Sequence, residues 1–119
     1  MLTFILKKEW YEKIKRGEKT VEYREVKPYW TKRIAKFKNW YSQFIAPKDR
    51  DGFIKSETTL FKNSHYPATC LLRLGYTSFV MEAVINKIEI IDGKDTDLHI
   101  DKPVYAIHLA DVKEVIDEA

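Results

Sequence analysis

The chain has 119 residues, a net charge of +3 and 45% hydrophobic residues, which is enough for one folded domain of ordinary size. Four glycines and four prolines exclude a collagen-like or low-complexity chain, and no apolar run approaches the roughly 18 residues of a membrane-spanning helix. The single cysteine, Cys70, excludes an intramolecular disulfide and a multi-cysteine zinc site. We therefore expect one domain over residues 1–119, cytoplasmic in location and without a cofactor.

Four elements are predicted in the first third of the chain. Leu6, Trp10 and Ile14 recur every four residues, which predicts an amphipathic helix. Gly17 ends that helix because glycine readily adopts the left-handed backbone of a helix C-terminus. Alternating polar and apolar residues predict a half-buried strand after it. The predicted elements are a strand at 2–6, a helix up to 16, a strand at 20–26 and a helix at 29–37.

Strands dominate the predictions for the rest of the chain. We expect strands at 69–74, 79–91 and 104–109, with a bend around Gly75 and a short acidic helix from Asp111. Residues 47–55 are typical of a loop, and residues 38–68 are an insertion that either caps a cleft or decorates the fold. The pattern indicates one α+β domain, a small β-barrel with helices at its ends.

The charge is distributed unevenly along the chain. Residues 1–62 carry 16 Lys and Arg against eight Asp and Glu, a balance of +8, whereas residues 63–119 carry five against ten, a balance of −5. A basic half predicts a surface for phosphates or acidic partners, because neutralising phosphate dominates sequence-independent affinity for nucleic acids. The alternative is a solvated, lysine-rich face on an ordinary domain.

The most informative segment is the motif Gly17-x-Lys19-x-x-Glu22-x-Arg24. On the predicted strand, Thr20, Glu22 and Arg24 project to one side, because side chains alternate along a strand. A guanidinium holds a phosphate or a base edge with two hydrogen bonds, and a lysine acts as a mobile point charge. Glu22 between these cations can accept hydrogen bonds from an amino group. The alternative is a solvent-facing strand with neighbouring charges of little consequence.

This motif, after a strand and a helix, resembles that of the ASCH (activating signal cointegrator homology) family of PUA-like domains. Residues 72–76, Leu-Arg-Leu-Gly-Tyr, and the long strand after them also resemble small prokaryotic or phage members. The resemblance covers residues 1–109. It implies a PUA-like β-barrel of five or six mostly antiparallel strands with flanking helices, and RNA or nucleotide binding in a cleft lined by the motif.

The resemblance and the basic helix together give a set of candidate binding residues. Lys19, Glu22 and Arg24 line the implied cleft, and an aromatic ring beside them can stack on a base. Basic residues interleaved with aromatic ones on the second helix are typical of a nucleic-acid surface. The candidates for nucleotide or RNA binding are Lys19, Glu22, Arg24, Tyr23, Tyr76, Arg73, Lys32, Arg33 and Lys36. The oligomeric state stays open between a monomer and a weak dimer.

One branch of the family is enzymatic. Its members are small amidohydrolases that remove an acyl group from acetylated cytidine with a lysine, a threonine and a glutamate. The resemblance places their lysine at Lys19 and their glutamate at Glu82, but their catalytic threonine falls on Glu22, and Thr20 matches another threonine. Glu22 would then act as a base on water while Lys19 polarises the carbonyl. A third hypothesis is a protein-interaction domain with a vestigial cleft.

The remaining reactive side chains predict no site. Cys70 lies in an apolar strand, which is typical of an inert core thiol. His65, His99 and His108 lack the paired spacing of metal ligands, so we expect no metal. No phosphate-binding loop or dinucleotide-binding glycine motif is present.

Overall fold

The fold is seen in a computed structural model that describes residues 2–37, 58–62 and 68–116. It is a small α+β fold, as the sequence predicts. The predicted loop at 47–55 and most of the proposed insertion at 38–68 lie outside the described residues. The elements are β1 (Leu2–Leu6), α1 (Lys8–Lys15), β2 (Val21–Glu25), α2 (Pro28–Phe37), β3 (Thr58–Lys62), β4 (Thr69–Leu74), β5 (Phe79–Asp92) and β6 (Pro103–Ile116).

The strands form a mixed sheet. They are hydrogen-bonded in the order β1-β4-β5-β6-β2, and β3 pairs with β5. Strands β1 and β4 are parallel, with Leu2 opposite Cys70 and Leu6 opposite Leu74. Both β3 and β4 run antiparallel to β5. A parallel pair needs a long connection, and the chain between β1 and β4 supplies one that contains both helices.

The contacts of the chain divide it into two compact units. The first comprises Met1–Glu22, Asn63–Asn86 and His108–Ala119, and the second comprises Tyr23–Lys62 and Lys87–Ile107. The candidate residues Lys19, Thr20, Glu22, Arg73, Tyr76 and Glu82 belong to the first unit, and Tyr23, Arg24, Lys32, Arg33 and Lys36 belong to the second.

The core of the first unit lies between α1 and one face of its strands. Phe4 and Leu72 are partners in the β1–β4 register and are fully buried. The helix contributes Tyr11 and Ile14, which are also buried. Full burial of an apolar side chain of this size stabilises a fold by about 1.5–3 kcal/mol. The opposite face of β1 is open, since Ile5 is exposed.

The second unit packs α2 and the remaining strand segments around its own apolar residues. Ile34 from α2 is fully buried, as are Ile88 and Tyr105 from the strands. The Tyr105 and Thr31 hydroxyl groups are 2.7 Å apart and share a hydrogen bond. Burial raises the pKa of Tyr105 to about 12, although the hydrogen bond from Thr31 opposes the shift.

Two local predictions are wrong. The helix predicted from Asp111 does not form, because β6 continues to Ile116. Asp111 adopts a positive φ of 50°, and beyond it Glu114 pairs with Lys15 of α1, so tertiary contacts outweigh local helix propensity. Leu6 belongs to β1 rather than to the helix, and the buried side chains of α1 are Tyr11 and Ile14, whereas Trp10 is half-buried.

Candidate functional site: a buried ion pair beside Trp10

The turn after α1 directs Lys19 back toward the helix. Gly17 has a φ of +81°, a left-handed conformation that costs glycine little. The backbone N–H groups of Glu18 and Lys19 both donate to the carbonyl of Lys13, at 2.9 and 3.2 Å. The chain therefore folds over the last turn of α1 before β2 begins, and Lys19 lies beside the helix rather than pointing away from it.

Lys19 forms an ion pair with Glu22, which we call the buried ion pair. The Lys19 Nζ and Glu22 Oε1 atoms are 3.7 Å apart, and the two side chains are only 9% and 8% exposed. At this distance the groups interact through charge rather than through a mutual hydrogen bond. Lysine and glutamate are rarely buried to this extent unless they are paired. Lys19 and Glu22 are therefore packed inside the first unit, unlike the solvent-facing strand of the alternative interpretation.

Trp10 of α1 provides an aromatic surface next to this pair. The Lys19 Nζ atom lies 5.3 Å from the centroid of the Trp10 ring, and the Lys13 Nζ atom lies 5.1 Å from it. Both distances are within the range of a cation–π interaction. The sequence predicted Trp10 only as part of an apolar stripe. The sequence feature that could have predicted a cation–π role for Trp10 is Lys13, which follows Trp10 by about one helical turn.

Cys70 lies near the buried ion pair and is not a nucleophile. It is completely buried, and its pKa is raised to about 12, chiefly by burial and further by the negative charges of Glu22 and Glu82. A thiol with this pKa is neutral at physiological pH, and the thiolate is the nucleophilic form. The prediction that Cys70 lies in the core is confirmed, and its low reactivity stays a prediction.

Glu82 faces the other side of the sheet from Cys70. In the β4–β5 register Glu82 is opposite Leu71, whereas Cys70 is opposite Ala83, and neighbouring residues on a strand point to opposite faces. The Glu82 carboxylate is 35% exposed, and its Oε1 atom lies 3.9 Å from Nζ of Lys113 on β6. The pairing between Glu82 and Lys113 is thus located on the more open face.

Helix α1 covers the opposite face of the same strands. The Tyr11 hydroxyl donates to Oε2 of Glu114 at 3.5 Å, and Glu114 follows Lys113 on β6, so the two point to opposite faces. Burial and the Glu114 carboxylate raise the pKa of Tyr11 to about 12. The Glu82 side chain therefore does not share a face with α1, where Lys19 lies.

The other candidates of the first unit are exposed. Thr20 is exposed, and its carbonyl accepts a hydrogen bond from the backbone of Leu109 at 2.8 Å. Arg73 and Tyr76 lie at the hairpin between β4 and β5, where Nη1 of Arg73 donates to the carbonyl of Thr77 at 2.8 Å. Tyr76 projects from the turn and is 91% exposed.

In the second unit, Tyr23 and Arg24 lie on β2. The Arg24 guanidinium carbon is 5.2 Å from the ring centroid of Trp30 on α2, which is within cation–π range. Burial raises the pKa of Tyr23, and the charges of Asp97 and Glu89 add to the effect.

Helix α2 presents a basic and aromatic surface. Lys32, Arg33 and Lys36 are exposed, and the Arg33 guanidinium stacks on the ring of Tyr29 with its carbon 3.5 Å from the ring centroid. The first turn of α2 contains no acidic residue. This exposed surface of Tyr29, Lys32, Arg33 and Lys36 has the composition that phosphate-binding surfaces require.

The described part of the chain contains neither a cluster of metal ligands nor a helix that could span a membrane. No three His, Cys, Asp or Glu residues within 2–37, 58–62 and 68–116 come together as metal ligands. No helix in these ranges is long and apolar enough to cross a membrane. The chain as a whole matches no protein-family model, no curated protein and no solved structure.

Proposed function

We propose that the protein binds a nucleotide, either free or as an unpaired nucleotide of RNA, and that the buried ion pair recognises its base. The observation that carries this proposal is the packing of Lys19 and Glu22, 3.7 Å apart and almost fully buried, beside the ring of Trp10. A cation, a carboxylate and an aromatic face are together the groups that bind a planar, polar heterocycle.

The chemistry of the pair selects a class of base. The Lys19 ammonium offers three N–H donors, and the Glu22 carboxylate offers only acceptors. A base that offers an exocyclic partner to both groups on one edge has a carbonyl oxygen for Lys19 and an amino donor for Glu22. Guanine and cytosine each carry a carbonyl oxygen and an exocyclic amino group, whereas uracil lacks the amino group and adenine lacks the carbonyl. We expect guanine and cytosine nucleotides to bind best.

The proposal includes a more specific classification of the fold. We infer a PUA-like barrel of the ASCH type, and its support is the motif that carries Lys19 and Glu22. The motif follows β1 and α1 and ends on β2, which is the arrangement that the resemblance implies.

The surface of α2 supplies contacts to the phosphate backbone. Exposed Lys32, Arg33 and Lys36 would neutralise phosphates and release counterions. The affinity for RNA is therefore expected to fall as the salt concentration rises. Replacing Lys32 and Lys36 by glutamine should weaken the binding of every RNA to a similar extent and flatten that dependence.

A thermal-shift experiment with the four nucleoside monophosphates tests the proposal. A ligand at 100 times its dissociation constant stabilises the native state by about 2.7 kcal/mol. We expect GMP and CMP to raise the melting temperature of the wild type and UMP and AMP to have much smaller effects. The variant K19M/E22L should not respond. The matched control is K15M/E114L, which removes an exposed Lys–Glu pair of the same unit and should respond like the wild type. Equal shifts with all four bases would contradict recognition by the pair.

The amidohydrolase hypothesis makes a different prediction. It requires Lys19, Glu22 and Glu82 to act on one substrate, and the strand register places Glu82 on the face opposite to α1. Turnover of an N4-acylated cytidine by the wild type, lost in both K19A and E82Q, would favour the enzyme. A protein-interaction domain would show neither turnover nor a thermal shift with any nucleotide.

A further inference from the structure

The hairpin between β4 and β5 carries two unusually exposed aromatic side chains. Tyr76 is 91% exposed and Phe79 is 61% exposed, and two residues separate them along the turn. Burying a large aromatic ring is strongly favourable. Two such rings in water at one hairpin therefore indicate a binding surface.

The hairpin is held in one conformation by its own hydrogen bonds. The backbone and the hydroxyl of Thr77 both donate to the carbonyl of Leu74, at 3.1 and 2.6 Å, and the Phe79 N–H donates to the same hydroxyl at 3.2 Å. Gly75 adopts a φ of +54°, which favours glycine. The rings are therefore displayed by a preorganised turn, which reduces the entropy lost on binding.

Basic residues lie beside the turn that carries these rings. The Gly75 N–H donates to the carbonyl of Leu6 at 2.9 Å, and this bond brings the turn next to Lys7 and Lys8, which are both exposed. Arg73 is fixed to the turn by its hydrogen bond to the carbonyl of Thr77. Exposed aromatic rings flanked by cations are the combination that binds single-stranded nucleic acid, with stacked bases and neutralised phosphates.

We propose that this surface, formed by Arg73, Tyr76, Phe79, Lys7 and Lys8 and called the hairpin tip, stacks an unpaired base of a single-stranded nucleic acid. The inference rests on the proposed function and makes it more specific. The base at the buried ion pair then belongs to a strand rather than to a free nucleoside. Trp10 lies two residues after Lys8 on α1, about 3 Å along the helix axis, so the hairpin tip and the aromatic ring beside the buried ion pair both include residues from the first turn of that helix.

The test measures the anisotropy of a fluorescein-labelled RNA octamer of mixed sequence, with the matched DNA octamer beside it. Stacking contributes enough for the loss of one stacked base to weaken binding about 5- to 150-fold. Y76A/F79A should therefore bind the octamer at least about 5-fold more weakly than the wild type. Its affinity for GMP and CMP should be unchanged. Y76F/F79Y keeps both rings and should bind the octamer like the wild type, as should L98A, which truncates another exposed apolar side chain.

Salt dependence separates stacking from charge. Y76A/F79A removes no charge, so the slope of log affinity against log salt should stay unchanged. K7Q/K8Q should reduce that slope by about 1.4, because each phosphate contact to a single strand contributes about 0.7. If Y76A/F79A and K7Q/K8Q reduced the slope equally, the assignment of stacking to the two rings and of phosphate contacts to the two lysines would be wrong.

The outcomes distinguish this inference from the proposed function. K19M/E22L could bind nucleotides like the wild type while Y76A/F79A no longer binds the octamer. In that case the proposed role of the buried ion pair is wrong, and the inference about the hairpin tip is supported. If Y76A/F79A binds the octamer like the wild type, the hairpin tip is overturned. If it loses only binding to phosphatidylserine vesicles, the tip is a membrane contact and the inference is overturned as well.

Discussion

Removing one partner of the buried ion pair should destabilise the protein strongly. In K19M the Glu22 carboxylate stays 8% exposed and loses its cation. For two charges 3.7 Å apart, Coulomb's law at an effective dielectric constant of about 20 gives about 4 kcal/mol. This agrees with the roughly 3–5 kcal/mol that breaking a buried pair costs. Because native proteins are stable by only about 5–15 kcal/mol, K19M and E22L should each lose a large part of the unfolding free energy.

The double variant should behave differently from both single variants. Replacing both charges by apolar residues removes the two buried charges together, and such replacements are often neutral or stabilising. We therefore expect K19M/E22L to lie within about 1 kcal/mol of the wild type. An ion pair that an apolar pair replaces without loss of stability is not required for folding.

The assay is urea unfolding followed by far-ultraviolet circular dichroism for the four proteins of this double-mutant cycle. The expected coupling energy is about 3 kcal/mol or more. In thermal unfolding, each single variant should melt roughly 10–20 °C below the wild type. Single-variant losses below 1 kcal/mol, or a double variant equal to the sum of the two losses, would refute the reasoning. K15M/E114L is the control, since its exposed pair is expected to contribute about 1 kcal/mol or less, and the hydrogen bond from Tyr11 to Glu114 adds about 1 kcal/mol.

Three further predictions concern packing and titration. A Cβ at Gly93 would lie 2.7 Å from the carbonyl oxygen of Lys102, so G93A should lose about 1–3 kcal/mol in urea unfolding, and a loss below 0.5 kcal/mol would contradict this packing. Cys70, with its pKa raised to about 12, should not react with Ellman's reagent at pH 8 until the protein unfolds; fast labelling of the native protein would exclude the buried site. Since the pKa of Tyr105 rises from 10.0 to about 12 on folding, the neutral phenol is favoured in the native state. The stabilisation that Tyr105 gains from this shift is present below pH 10 and is lost as the pH rises to about 12. The unfolding free energy of the wild type should therefore fall more than that of Y105F in this range. Parallel curves of unfolding free energy against pH for the two proteins would argue against the pKa shift.

The local elements near the motif could be predicted because their signals are local. Helix α1 ends near Gly17 because glycine readily adopts a left-handed backbone conformation. Pro28 begins α2 because its fixed φ suits the first turn of a helix. Strand β4 occupies the predicted residues 69–74. The turn at Gly75 could also be predicted locally, because glycine favours the positive φ that it adopts there.

The burial of Glu22 could not be predicted from the alternation of β2. That pattern placed Glu22 with Thr20 and Arg24 on a polar face, and polar faces usually point to solvent. In the structure Glu22 is the buried residue of β2, because the turn that folds Lys19 over α1 brings a cation to it. The interaction of Lys19 with Trp10 depends on the same turn, whose path the residue types alone do not specify.

The position of Glu82 required the register of two strands. A shift of one residue between β4 and β5 would exchange the faces of Glu82 and Ala83, and the sequence of β5 is apolar on both faces, so it does not fix that choice. The end of β6 has a similar explanation. The acidic composition after Asp111 predicted a helix, but β6 continues to Ile116 and brings Glu114 to Lys15 and Tyr11 of α1, contacts between distant parts of the chain that local composition does not reveal.

The most direct test of the central claim is isothermal titration calorimetry of GMP and CMP into the wild type, K19M/E22L and K15M/E114L. Circular dichroism first establishes that all three proteins are folded. The proposed role of the buried ion pair predicts that the wild type and K15M/E114L bind the better of the two nucleotides with the same affinity and that K19M/E22L loses at least 10-fold, which corresponds to about 1.4 kcal/mol. Equal affinity in all three proteins would show that Lys19 and Glu22 do not recognise the base.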